Sequence, residues 1–447
     1  MTRQRTIILG GGLAGLSAAY HLKGDAPLYE QQAGLGGLCR QIEAEGFRFD
    51  AVPHVLHFQR DSTRALISRL LQGRLRSYAR RAGVFCRGTH IRYPFQAHLF
   101  GLPAAVIDEC LQGRRDAARH GGPDTATFER WIHSTFGPGI AKHFMVPYNT
   151  KFWTVPPAEL TCEWLDGLVP SPTAEQTIRG ASMADPSEYG YNVEFWYPSA
   201  GGLGAVLDAL REQLPSLQLG KRLARIETSA RRLHFVDGET LAYEHLLSSI
   251  PLPELAGLLD PLPPEIAQAL DRLRWTSIAV AHVGVKGAPP LPWHWVYVPG
   301  EEALCYRVGV PSHYDPDAAP DGHYLLCAEI AHAPWRPLDR QALLPRVIRD
   351  LTRIGMLRRE QDIVLQTVTD LRYGYPIYDR HYAWATTLIR SYLTQCGILP
   401  IGRFGSWRYL SMEQTLLDGQ QATEAVCSTL PRECRSPVGA ATGAGSC

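Results

Sequence analysis

The sequence predicts an α/β fold: a discontinuous Rossmann-type dinucleotide-binding domain, an inserted helical domain, and a mixed or antiparallel β-sheet substrate domain. Three observations carry this. Gly10-Gly11-Gly12-Leu13-Ala14-Gly15 satisfies G-x-G-x-x-G between a short apolar β-run, Thr6–Leu9, and a helical run, Leu16–Leu22. A second apolar run, Pro27–Glu30, ends in an acid about twenty residues after the first glycine. Glycine-rich turns recur near residues 201 and 402, so the nucleotide domain is interrupted by insertions. Its expected extent is 1–60 with about 193–250 and 398–430; 61–192 is expected to be mainly helical, 251–397 sheet-rich, and 431–447 a disordered tail.

Each glycine has a separate task. Gly10 permits the tight turn, Gly12 lets the backbone approach a pyrophosphate, and Gly15 lets helix and strand pack closely. The helix N-terminus offers unpaired N–H groups and a positive dipole end to phosphates. The Glu30 carboxylate suits a ribose diol.

The remaining elements follow in order. Gly34-Leu35-Gly36-Gly37-Leu38 is a second glycine turn, and Gly46–Asp50 a short alternating strand. Ser62–Leu71, Pro103–Ala118 and Phe128–Gly137 space apolar residues helically. Val193–Tyr197 reads as a strand, and Gly204 opens a helix to Leu214. Arg222–Glu227 and Arg232–Val236 alternate like a hairpin, Asp237-Gly238 turns into Leu241–Tyr243, and His245–Ile250 is a further strand. Ser277–Val285, Trp295–Val298, Ile363–Leu371 and Ile398–Phe404 read as strands; Gln341–Ile354 and Gln414–Leu430 read as helices.

Composition narrows the function. Lys+Arg is 45 and Asp+Glu is 44 in 447 residues, which excludes the basic excess of a general nucleic-acid or membrane-surface binder. Ten cysteines without a C-x-x-C pair read as reduced thiols in a cytoplasmic protein, with neither a disulfide framework nor a metal site. Met1–Arg5 followed by the uncharged Thr6–Leu22 imitates a secretory signal, but a glycine cluster stands where an apolar helix belongs. No stretch reaches the roughly 18 apolar residues of a membrane span.

NAD and FAD share the N-terminal fingerprint; the second glycine turn resembles the extended motif of FAD-dependent amine oxidases. Further blocks are Tyr93-Pro94-Phe95-Gln96, Phe144–Asn149, Phe152–Pro156, Tyr197–Gly202, Trp295–Tyr297, Tyr306–Val308, Gly374–Pro376 and Gly402–Tyr409. With them the chain resembles the UDP-galactopyranose mutases, more the longer eukaryotic type than the short bacterial one, within the FAD-dependent amine oxidase and protoporphyrinogen oxidase superfamily. The likeness runs over about residues 5–428. It implies FAD as cofactor, NAD(P)H as external reductant in the longer enzymes, a small-molecule substrate, no nucleic-acid partner, and compatibility with a homo-oligomer. It also implies a ring isomerisation without net redox change, in which N5 of the reduced flavin attacks the anomeric carbon and displaces the nucleotide diphosphate.

Carried over position by position, the flavin contacts are Gly10, Gly12, Gly15, Glu30, Gly36, Gly37, Leu38, His54, Leu223, Gly402, Arg403, Glu413 and Gln414. Tyr93, Phe95 and Gln96 would meet the nucleotide base, with Asn149 and Trp153 in the same pocket. Tyr297, Tyr375 and Tyr409 would hydrogen-bond the diphosphate, and Arg307 would grip it. His54 and Arg307 are the catalytic candidates, and no metal is implied.

Two positions depart from that pattern. Val52-Pro53 stand where the mutases carry Gly-Gly before the histidine, so the loop is expected to hold one static arrangement. Trp196 stands where they carry a second diphosphate arginine, so either Arg179 or Arg372 substitutes or the substrate differs. Two readings therefore stay open: a mutase on a nucleotide sugar, and a flavin oxidoreductase on an amine, alcohol or aromatic intermediate. A flavin binder without catalysis fits the pocket blocks least. Two converging guanidinium groups would favour the mutase; one, walled by Trp196, would favour the oxidoreductase.

Overall fold

The computed structural model describes residues 3–119, 122–165 and 167–429; the expected tail lies outside them. The first sheet is built around Arg3–Leu9, whose Ile7 and Ile8 are wholly buried. Leu28–Tyr29 and Thr240–Ser248 flank it in parallel, and Ile398–Pro400 pairs in parallel with Thr240–Ser248. Strands covered on both faces read as continuous apolar runs, which is why Thr6–Leu9 was legible. The sheet continues through Arg232–Phe235 and Leu223–Glu227 to Leu259–Asp260, and at the other edge to Leu217–Gln218. Helices Leu13–His21 and Met412–Thr429 cross on it, pinned by a 2.7 Å hydrogen bond from Ser17 Oγ to the Leu416 carbonyl.

The second sheet has seven strands, in the order Ile363–Pro376, Trp275–Lys286, His323–His332, Arg307–Gly309, Trp295–Tyr297, Ala82–Cys86 and Thr89–Arg92. All neighbours are antiparallel except Trp295–Tyr297 beside Ala82–Cys86. The α/β class with a mixed second sheet is therefore the observed one.

Several local expectations change. Between residues 61 and 192 the helices Asp61–Leu70, Ala104–Arg119, Phe128–Ile140, Val146–Trp153 and Ala174–Ser182 are joined by three strands. Ala82–Cys86 and Thr89–Arg92 complete the second sheet, and Leu75–Ala79 pairs with Glu194–Pro198 in a separate ribbon. Ala82–Cys86 is buried at every position, so it shows no alternation to read; it forms a hairpin with Thr89–Arg92, and its other partner lies some two hundred residues away. Between 251 and 397, helices Leu252–Gly257, Pro264–Leu270 and Tyr382–Gln395 join the anticipated Leu343–Arg353. The run Ile398–Phe404 splits: the strand ends at Pro400, and Gly402–Gly405 is a helical turn whose Gly402 N–H donates to Asp418. Among the described residues no helix is long and apolar enough to cross a membrane.

A buried acid pair joins the two halves. The Tyr197 hydroxyl lies 3.2 Å from Asp50 Oδ2 and 3.3 Å from Asp315 Oδ2. One phenolic proton serves one oxygen, so the cluster closes only when one carboxyl carries a proton. Burial, reinforced by Asp315, pushes Asp50 up to about 8. The unfolded chain ionises this acid near 4. Stability contributed by the protonated form is thus complete below pH 4 and is lost as pH rises towards 8. Asp50→Asn should remove that slope and raise the melting temperature at pH 8 by roughly 5 °C over the parent chain. Parallel melting curves from pH 5 to 8 would show that the pair does not titrate there.

Candidate active site

Four parallel strands deliver their carboxyl ends to one place. Leu9, Tyr29, Ser248 and Pro400 run out into Gly10, Glu30, Ser249 and Ile401, which line one end of a cleft of about 1200 Å³. Ligands in open α/β sheets bind at this edge. Gly10 has φ +95°, and a Cβ there would run into the Ser249 side chain. Gly15 faces the Gly10 carbonyl oxygen so closely that a methyl group has no room. Gly12 is the contrast: an added Cβ meets no atom within 4 Å, because that position faces the cleft. The following helix has no side-chain cap at its N-terminus, so its first N–H groups remain available to an anion.

The second turn folds back onto the first. Gly36, with φ +120°, bridges to Gly12, and its N–H donates to the Gly11 carbonyl at 2.9 Å. Glu30 is held by the N–H groups of Gly11 (2.7 Å) and Gln32 (2.8 Å). Each carboxylate oxygen keeps a further lone pair for a ligand hydroxyl. The uncapped helix, the space at Gly12 and the fixed carboxylate fit a dinucleotide cofactor, with Leu38, Leu223 and Gly402 also on the wall.

His54 lies further along, after Val52 and Pro53. Its Nδ1 is 2.8 Å from the Val52 carbonyl, so Nδ1 carries the proton and Nε2 is the free acceptor. Burial, then the Arg403 guanidinium, pushes this imidazole down to about 4, so it is neutral at pH 7. Arg403 sits 4.6 Å from the Tyr375 ring centre and 4.8 Å from that of Tyr409. Its Nε and Nη2 are buried without a hydrogen-bond partner, as expected for donors that await a ligand.

Beyond His54 the wall is phenolic. Tyr93, Tyr297, Tyr375 and Tyr409 line it, with Gln96 and Asn149 at the far end. Tyr93 and Tyr297 rings lie 4.6 Å apart, and Arg80 covers the Tyr93 ring at 4.9 Å. Burial raises Tyr375 to about 12 and lifts Tyr93 and Tyr297, so these hydroxyls stay protonated as donors. Arg307 is there too, but Glu329 holds it: Nε–H donates to Oε1 at 2.6 Å and Nη2–H to Oε2 at 2.9 Å. That pairing leaves the Nη1 edge for a ligand.

Several expected contacts fall elsewhere. Phe95 is wholly buried and stacked on Phe144, and Trp153 is wholly buried among Trp164, Tyr375 and Tyr409. Both back the wall rather than form it. Trp196 lies outside the cleft. Strand alternation sends Phe195 and Tyr197 inward, and leaves Trp196 against Phe58 with Arg64 above it. Glu413 accepts from the N–H groups of Gln59 and Arg60, ahead of helix Asp61–Leu70. Gln414 is spent in a reciprocal cap with Ser411. Neither faces the cleft; their neighbours Met412 and Thr415 do. Arg179 is tied to Asp185 outside the cleft, and Arg372 is at the rim over Trp275 and Tyr373. The second cationic group is instead Arg403, since it and Arg307 both act on His54 and Tyr375.

The sequence reading missed Glu329, Tyr148, Phe152, Tyr191 and His57, all on the wall. Glu329 left a signal, as the one acid within the apolar run Tyr324–Ala331, and a buried acid demands a cation. Tyr148 and Phe152 fall inside the blocks that carry the resemblance but at helical spacing, where aromatic residues read equally as core, and Tyr191 and His57 lie in irregular segments without periodicity.

Gly15→Ala should leave the chain folded but reduce its bound flavin several-fold, measured as the ratio of flavin to protein absorbance. Full flavin content would mean the helix can move off the Gly10 carbonyl. Glu329→Gln should lower stability by about 2 kcal/mol, because the half-buried Arg307 loses its counter-charge and one charged hydrogen bond. Denaturant unfolding reads that directly, and an unchanged midpoint would show the pair to be solvated.

The flavin-containing amine oxidoreductase family profile matches residues 13–419. The fold superposes on reduced UDP-galactopyranose mutase with a TM-score of 0.89 at 28% identity, over 96% of this chain and 95% of that one. Wild-type putrescine oxidase bound to putrescine gives 0.66 at 14% identity, over 96% and 99%, a likeness of fold alone. A 4,4'-diaponeurosporene oxygenase of Staphylococcus haemolyticus (strain JCSC1435) is 42% identical over 59 residues, which is 12% of this chain and 12% of that relative's length. With the family profile covering residues 13–419 of 447, the chain belongs to the flavin-containing amine oxidoreductase family.

Proposed function

We propose that this enzyme is an FAD-dependent mutase of the UDP-galactopyranose mutase type, interconverting pyranose and furanose forms of a nucleotide sugar. The observation that carries it is the pair Arg307 and Arg403 beside Tyr375, ringed by further phenolic donors. Phenolic donors next to two cations suit a diphosphate and disfavour a protonated amine. The 0.89 likeness to a mutase, at 28% identity, supports the same reading.

Gly12, the helix start at Leu13, Glu30 and Gly36 would hold the cofactor, and Arg403 would stand at its boundary with the substrate. Reduced FAD supplies, when bound, a nucleophilic N5 for the anomeric carbon. The chain's own groups bind and orient. Tyr297, Tyr375 and Tyr409 donate to phosphate oxygens, and the Nη1 edge of Arg307 adds a charged donor. Neutral His54 presents Nε2 as an acceptor, which holds a sugar hydroxyl in one direction. NAD(P)H would serve as the external reductant. Eight described cysteines are free thiols, which supports a reducing compartment, the cytoplasm.

One observation favours a second reading. Glu329 cancels the Arg307 charge, so the cleft grips an anion less than two free arginines would. That suits a flavin oxidoreductase acting on an uncharged aromatic or alcohol. The two readings separate under anaerobic conditions. The mutase, reduced with dithionite, should convert UDP-galactofuranose to the pyranose, and UDP should perturb its flavin spectrum. Failure of both would sink the proposal, whereas bleaching of oxidised flavin by a substrate would establish the second. Tyr375→Phe should raise the UDP dissociation constant about three- to tenfold, and Trp196→Arg should leave it unchanged. Equal effects of the two would move the diphosphate away from Tyr375.

A further inference from the structure

We infer that Thr369 and His282 are positioning residues that fix the segment Ala51–His54 and thereby the ring orientation of His54. Neither touches the cleft. The hydrogen bonds between them and the loop run in one direction. Thr369 Oγ1 donates to the Ala51 carbonyl at 2.7 Å. A hydroxyl has one proton, so the 3.0 Å contact with His282 Nε2 must have the ring as donor. The neutral ring then has Nδ1 bare, and Cys327 Sγ lies 3.4 Å from it as the thiol donor. The chain of donors is thus Cys327 to His282 to Thr369 to Ala51.

The position of His282 is itself an argument. It is wholly buried in Trp275–Lys286, among Val280, Ala281 and Val283, where an apolar side chain would pack without polar cost. Its ring stacks 4.1 Å from Phe49, the residue before Asp50 at the mouth of this loop. Burial alone pushes it down to about 3, so it serves as a neutral relay and not as a charge. The Ala51 N–H is taken as well, by the Arg40 carbonyl at 2.9 Å. With both polar groups of Ala51 pinned and Val52 confined to extended backbone by the proline that follows it, the Val52 carbonyl is confined to a narrow range of directions. That carbonyl receives the Nδ1 proton of His54. A distant pair of side chains therefore selects which nitrogen of His54 is bare.

The inference rests on the reading of the cleft as a flavin site only for its significance. The test uses the flavin-loaded protein labelled with 15N-histidine, with His54 assigned by the His54→Gln spectrum. The parent chain should show His54 as the Nδ1–H tautomer at pH 7. Thr369→Val, close in shape but without the donor, should shift the tautomer ratio towards Nε2–H by about five- to tenfold and displace the flavin midpoint potential. Thr369→Ser, which keeps the hydroxyl, should restore both. His282→Leu should behave like Thr369→Val even if one of the two folds poorly. Parent tautomer and midpoint in either apolar variant, with only a lower melting temperature, would overturn the inference. None of these readouts needs turnover, so failure of the mutase assay would leave them standing.

Discussion

The structure depends on the approach of Gly15 to the Gly10 carbonyl. It seats the first helix on the first strand with its N-terminus at the strand's carboxyl end. A helix set back by one methyl group would aim its N–H groups past the cleft. The same edge must then receive the ends of Thr240–Ser248 and Ile398–Pro400, which come from distant parts of the chain. Everything between has to leave the first sheet and return to the register set by that contact. The second sheet and the helices of 61–192 are what the chain builds on those excursions. The cleft takes its wall from both sheets and from the helix Val146–Trp153.

Legibility followed the range of the interaction. The glycine turns, Glu30 and the alternating hairpin are local, and the sequence displays them directly. Trp275–Lys286 and Ile363–Pro376 were visible through their length and β-branched content. Ala82–Cys86 was not, because burial on both faces removes the alternation that would mark its hairpin with Thr89–Arg92, and its other partner is the distant Trp295–Tyr297. At the site, Arg307, His54 and the tyrosines line one cleft. Trp196 does not, since an aligned position does not say which face of a strand a side chain takes. Glu413 and Gln414 illustrate the same limit. An acid and an amide at a helix start read as ligand groups, but the backbone N–H groups nearby claim them first.

Protons in this molecule are placed by counting. Asp50, Tyr197 and Asp315 offer too few hydrogens for their contacts unless one acid is protonated, and His282 and Thr369 have one consistent direction. His54 inherits its tautomer from the end of such a chain. Burial keeps the two imidazoles and one of the two carboxyls neutral, so among them direction and not charge is the means of control. The charged pair at Arg307 and Glu329 obeys a different rule. Its two fixed hydrogen bonds offset desolvation and hold the guanidinium edge-on to the cleft.

That edge-on geometry bears on how a mutase could use this cleft. Pyranose and furanose forms share the same diphosphate. Interactions with it bind both isomers and the species between them alike, so strengthening them would tighten binding without speeding conversion. A guanidinium half-spent on Glu329, helped by neutral phenols, supplies moderate anchoring of that uniform kind. In a mutase, preference for the transition state would come from groups that meet the sugar as it changes shape, a role the proposed function gives to the neutral acceptor of His54. An oxidoreductase on the same fold would face no such symmetry between substrate and product, and would have no use for a diphosphate grip. The paired Arg307 weakens the anion grip, which is what favours the oxidoreductase reading, but a reversible ring isomerase would gain little from a second fully free arginine and would release its product more slowly with one.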